Sequence, residues 1–134
     1  MRKIAMMLPF LAACAPGWGP MDARQYVHAD AEPAPEYAIG VWTGGLGPYV
    51  MTMKVAPDGH VDTCHSWNHR DAVGKAKFAG GNLYFSDGSF AVLGKTADGI
   101  TVVPLADEDH ASDFVRDESL RQAAPFCEDY FQNN

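Results

Sequence analysis

The chain has no apolar run long enough to cross a membrane. Its opening stretch, Ile4 to Ala13, falls far below the roughly 20 residues a spanning helix needs. Basic residues are scarce: 10 Lys and Arg stand against 17 Asp and Glu, a formal net charge of −7. That balance repels nucleic acid and anionic lipid head groups, so no nucleic-acid partner is expected and a cationic one is favoured. Cysteine is scarce as well, and 3 is an odd number for an exported protein. No internal repeat of 20–50 residues is present, so a repeat architecture is set aside.

What the opening does contain is an address. Arg2 and Lys3 supply a positive start, Ile4 to Ala13 is apolar, and small residues close the run, the pattern of a secretory signal that is removed before folding. Ala13-Cys14-Ala15 satisfies the small-residue pattern of ordinary secretion. Leu11-Ala12-Ala13-Cys14 also resembles the lipobox of bacterial lipoproteins. The resemblance implies a cut before Cys14, diacylglycerol on its thiol and a membrane anchor. Only a thiolate is nucleophilic enough to take that lipid. Ala15, in place of an aspartate, implies sorting to the outer membrane. Loss of Arg2 and Lys3 lowers the basic count from 10 to 8 against 17 acids, so the mature charge is about −9.

With Cys14 claimed by lipid, Cys64 and Cys127 remain. In an oxidising compartment two leftover thiols most simply pair. Closing a loop of that length adds about 4 kcal/mol on the chain-entropy model, a large share of a small domain's stability.

Beyond the signal at residues 1–13, residues 14–36 read as a lipidated tether rich in Ala, Gly and Pro, without an apolar period. From 37 to 134 the period is two. Tyr49, Met51, Met53 and Val55 alternate with Val50, Thr52 and Lys54, as in a strand with one buried face. Ala56-Pro57-Asp58-Gly59 has turn chemistry, and His60–Ser66 returns as its partner. Further turns at Gly80-Gly81-Asn82, Asp87-Gly88 and Asp98-Gly99 delimit short runs at Val73–Phe78, Leu83–Ser86, Phe90–Lys95 and Ile100–Pro104. Ser112–Arg116 suits a last strand. Asp117 to Ala124 reads as a short helix capped by Asp117 and stopped by Pro125. The fold expected is all-β: a small antiparallel barrel or sandwich with a short C-terminal helix.

Gly40-Val41-Trp42 in a first strand resembles the Gly-x-Trp of lipocalin-like barrels, where the Trp plugs the closed end. A wider resemblance is to small bacterial lipoproteins without an assigned function. It rests on Gly40-Val41-Trp42-Thr43-Gly44, Asp58-Gly59 before Cys64, Leu83-Tyr84-Phe85-Ser86-Asp87-Gly88, Asp117-Glu118-Ser119-Leu120 and Ala124-Pro125-Phe126-Cys127. It implies fold and disulfide but no activity. Tyr84-Phe85-Ser86-Asp87-Gly88 followed by Lys95 resembles the inhibitory loops of lysozyme-inhibitor lipoproteins.

Candidate chemistry is sparse. His60, Cys64, His65 and His69 have zinc-ligand types. Neighbours on a strand point to opposite faces, however, and Cys64 is expected in the disulfide, so no metal site and no cofactor are expected. Asp62, His65 and Ser66 fail as a catalytic trio for the same reason, and no enzyme activity is expected. Asp107, Glu108, Asp109 and Asp113, with Asp117 and Glu118 beyond them, form the densest acidic patch, without calcium-loop spacing. Trp42, Trp67, Tyr49, Tyr84 and Phe85 fill or line the barrel. The expectation is a non-catalytic envelope lipoprotein that engages a basic macromolecule through Asp107, Glu108, Asp109 and Asp113. The alternatives are a lipocalin-like carrier of a small apolar ligand and an inhibitor of a cationic lysozyme.

Overall fold

A computed structural model describes residues 23–105 and 109–134. Eight antiparallel strands follow one another around a closed barrel. They are β1 (Gly40–Leu46), β2 (Tyr49–Val55), β3 (His60–Trp67), β4 (Arg70–Ala79), β5 (Asn82–Phe85), β6 (Phe90–Lys95), β7 (Gly99–Pro104) and β8 (Ser112–Arg116). Closure comes where β8 pairs with β1, Phe114 lying opposite Gly44. A Cβ at Gly44 would lie 2.7 Å from the Phe114 ring, so the seam needs a residue with no side chain there.

One end of the barrel is plugged. Trp42 is 3% exposed, and its indole Nε1 donates to the Ala38 carbonyl at 2.8 Å. The Arg116 guanidinium lies over the indole, 4.4 Å from its ring centre, and donates to the Ile39 carbonyl at 3.1 Å. A cation on an aromatic face adds about 0.5–2 kcal/mol. Ala38 belongs to a 3₁₀ turn, Glu36–Ala38, that sits under this end. The chain before it belongs to the plug too. Glu32 N–H donates to Phe78 and Ala34 N–H to Pro57, at 2.8 and 3.0 Å. Gly59, in the left-handed region at φ +92°, lies so close to the Glu32 carbonyl that a Cβ there would clash.

Three expectations need correction. Residues 14–36 are not a free tether throughout, because Ala34 is buried in the core cluster and Glu32 is bonded into the barrel. A short helix, α1 (Arg24–His28), also rests on the wall. Lys77 Nζ donates to the carbonyls of Tyr26 and Ala29 at its C-terminal end, at 3.0 and 3.2 Å, where the helix dipole favours a cation.

Second, the C-terminal helix is not at Asp117–Ala124. It is α2 (Pro125–Gln132), and Pro125 opens it at a first-turn position instead of stopping an earlier one. Proline suits that position, since its missing N–H would have had no helical partner. Asp117 is 4% exposed, inside a polar knot on the outer wall. Thr43 Oγ1 donates to Asp117 Oδ2 at 2.9 Å, so the 2.7 Å bond between Thr43 and Thr52 takes its proton from Thr52. Gln122 N–H donates to both carboxylate oxygens. The chain wraps the carboxylate through Leu120 at φ +62°, which breaks any helix there.

Third, Thr52 does not face water. The 117–132 segment covers the outer face of β1–β3, so Thr43, Thr52 and Cys64 are all buried. Cys64 and Cys127 are bonded there, S–S 2.05 Å, across a separation of 63 residues. The bridge ties α2 to the third strand of the barrel.

Candidate functional site

The other end of the barrel is formed by the β1–β2, β3–β4, β5–β6 and β7–β8 turns. The walls are of unequal height. β3 and β4 form a tall hairpin whose Asn68-His69 turn has φ of 48° and 64°, the pair of left-handed residues that a two-residue hairpin requires. β5 has only four residues and pairs with β4 from Ala76 downward. Above that level the rim drops into a notch between β4 and the Ser86–Ser89 turn.

A cavity of about 390 Å³ opens at the notch, with Leu46, Tyr49, Met51, His65 and Phe85 among its walls. Inward positions on β4 here carry the two smallest side chains, Ala72 and Gly74, opposite His65 and Thr63, and that leaves the space. The Tyr49 ring meets His65 edge to face at 4.8 Å and Trp67 at 6.2 Å. Just below, the barrel is solid: Met53, Leu83, Ile100, Val102 and Phe114 are each 1% exposed or less. The cavity is therefore a shallow mouth rather than a deep calyx. A second hollow of about 720 Å³ lies across the rim at Pro48, Pro104, Asp109, His110 and Ser112.

The expected site residues divide. Asp109 is exposed and lines that second hollow; Asp113 is exposed on β8. Asp107, Glu108 and Cys14 lie outside the described residues. Asp117, counted with the acids of the patch, is buried under Thr43 and unavailable to a partner. Glu118 accepts from Arg116 at 2.9 Å and from Val41 N–H at 3.2 Å, so it too is tied to the plugged end.

Asp62, His65 and Ser66 are not brought together: Asp62 pairs with Lys75, Ser66 donates to Asp71, and His65 faces Tyr49. The hydrogen bond that Lys75 donates to Asp62 holds its amine above the ordinary pKa, against a smaller opposing effect of burial. The Cys64 sulfur is in the disulfide, and among the described residues no three His, Cys, Asp or Glu side chains are grouped to hold a metal. The aromatics separate by height. Tyr49 and Phe85 line the cavity, Trp67 stands on the rim, Trp42 plugs the far end, and Tyr84 stacks on Phe90 at 6.1 Å. Sequence reasoning missed the notch, which arises from the mismatch of a ten-residue strand with a four-residue one.

The fold agrees with what known proteins show. The sequence model of one family, described as "Bacterial lipocalin LPS transport optimiser YedD", matches residues 23–131. The chain belongs to this family. Its members are bacterial lipoproteins of the cell envelope with a lipocalin-like barrel. The solved lipoprotein YedD from Klebsiella pneumoniae subsp. pneumoniae MGH 78578 shares the fold, with a TM-score of 0.54 and 15% identity. The match covers 81% of this chain and 92% of that one. No curated protein matches the sequence.

Proposed function

We propose that the protein is a non-catalytic lipoprotein of the outer membrane, anchored through lipid on Cys14, that serves lipopolysaccharide transport by docking a basic protein partner at the open end of its barrel. The transport role follows the description of the YedD family. The docking mode rests on one observation: below Met51 the barrel is filled, so the cavity has room for a few side chains and not for a glycolipid with several acyl chains. Charge points the same way. A mature chain at about −9 repels a phosphate-bearing lipid and attracts a basic protein. Asp107, Glu108, Asp109 and Asp113, in and beside the β7–β8 connection, supply the acidic side of that recognition.

The test uses the full-length lipoprotein purified from its own envelope. A protein partner should be retained at low salt and released as salt rises, since the screening length falls from about 10 Å at 0.1 M to 3 Å at 1 M. Lipopolysaccharide should be absent from the purified protein. Glycolipid bound at one molecule per chain would overturn the reading in favour of a lipocalin-type carrier. Stoichiometric block of lysozyme would overturn it in favour of the inhibitor.

A further inference from the structure

The notch leaves backbone uncovered as well as space. In an antiparallel sheet a residue's N–H and C=O point to the same neighbour, and the direction alternates along the strand. Lys75 directs both groups toward the β5 side: its N–H donates to Ser86 Oγ at 3.2 Å and its carbonyl accepts from Ser86 N–H at 2.8 Å. Val73 and Asp71, two and four residues back, direct theirs the same way. The Trp67↔Arg70 pair that closes the tall hairpin, with its two-residue turn, fits the same alternation, because it assigns Arg70, Ala72 and Gly74 to the β3 side. β5 reaches only to Ala76 on its side of β4. The N–H and C=O groups of Asp71 and Val73 therefore have no backbone partner among the described residues. Val73 is 50% exposed.

We propose that an extended segment of a partner protein adds as a strand along the free upper edge of β4, at Asp71 and Val73, and sets an apolar side chain through the notch into the cavity. The proposal deepens the docking reading above and rests on it for the existence of a partner. Strand addition divides the work: main-chain bonds give affinity, and pockets for alternate side chains give specificity. Both parts are present. A strand laid here would direct every second side chain inward, beside Ala72 and Gly74, toward Leu46, Tyr49, Met51 and Phe85. Its other side chains would pass Asp71 and Asp87. Lys75 is already paired with Asp62, which leaves Arg70 at the hairpin tip as the nearby opposing cation. The segment that fits alternates apolar and basic residues.

The probe is a synthetic heptapeptide alternating lysine with valine or leucine, added to the full-length protein in detergent. Residue-resolved amide hydrogen exchange is the readout. Without peptide, Asp71 and Val73 amides should exchange faster than Ala72 and Gly74. With peptide, the exchange of Asp71 and Val73 should slow at least tenfold while Ala72 and Gly74 change little. Val73→Pro should weaken the peptide at least tenfold and leave the fold intact, because proline is tolerated where a strand's N–H faces away from its neighbour. A peptide N-methylated at its edge-facing positions tests the same bonds with the protein unaltered, and should also lose at least tenfold. Protection of the Val73 amide in the free protein, or equal binding of the methylated peptide, overturns the proposal. If an envelope partner is captured but is indifferent to Val73→Pro, docking stands and strand addition falls. If the peptide adds as described and no envelope partner is captured, strand addition stands and the docking reading falls.

Discussion

The two ends of this barrel are built from the same strands and do opposite things. At the plugged end the interior is closed: the chain before β1 crosses beneath it, Trp42 fills it, and Arg116 and Glu118 tie its polar groups. At the open end the turns stand at different heights, and Tyr49, His65 and Trp67 meet as partly exposed rings over a shallow cavity. The difference is between burial completed within the chain and burial left for something else to complete. Apolar surface removed from water contributes roughly 25 cal/mol per Å². Residues at the plug therefore already count in folding, and those at the mouth have part of that contribution in reserve.

Substitutions should sort by end. Trp42→Ala should have the largest effect on stability, about 3–5 kcal/mol, plus the strain of leaving the Ala38 carbonyl without its donor. Chemical denaturation of the oxidised protein measures it. Next comes Cys64→Ala with Cys127→Ala, which releases a loop of 63 residues and should cost roughly 2–4 kcal/mol, read as a lower denaturation midpoint. Thr43→Val leaves the Asp117 carboxylate short of a donor and should cost about 1–3 kcal/mol.

At the mouth, Tyr49→Ala should cost about 1–2 kcal/mol, less than Trp42→Ala because the ring is only partly buried, yet should abolish partner capture. The smallest effect belongs to the exposed Lys75–Asp62 pair, worth well under 1 kcal/mol. Its sign is defined. Lys75 titrates above its ordinary value in the fold, so its stabilisation is full below that value and is lost as pH rises through the folded one. Asp62→Asn should therefore shift stability at neutral pH slightly and at pH 12 not at all.

Local chemistry was legible and unequal heights were not. Alternation delimits β2 at Tyr49–Val55, and turn residues delimit β6 at Phe90–Lys95, as the structure has them. Gly40-x-Trp42 signals the plug from its place in the first strand. The segment 117–124 misled because Asp117 has the look of a helix cap, while its carboxylate is turned instead onto Thr43 of a strand far away in sequence. The start of β4 was missed because Arg70-Asp71 carries no apolar alternation; pairing to β3 holds it as strand. The notch depends on where β5 stops relative to β4, a relation between two strands that neither states alone.

The direct test is made in cells of the source organism that lack the protein. A chain with Leu46→Ser and Tyr49→Ser, present at normal abundance, should leave the outer membrane as permeable to large apolar antibiotics as the deletion does. Full restoration of the barrier by that variant would contradict the account, for it would place the function somewhere other than the open end.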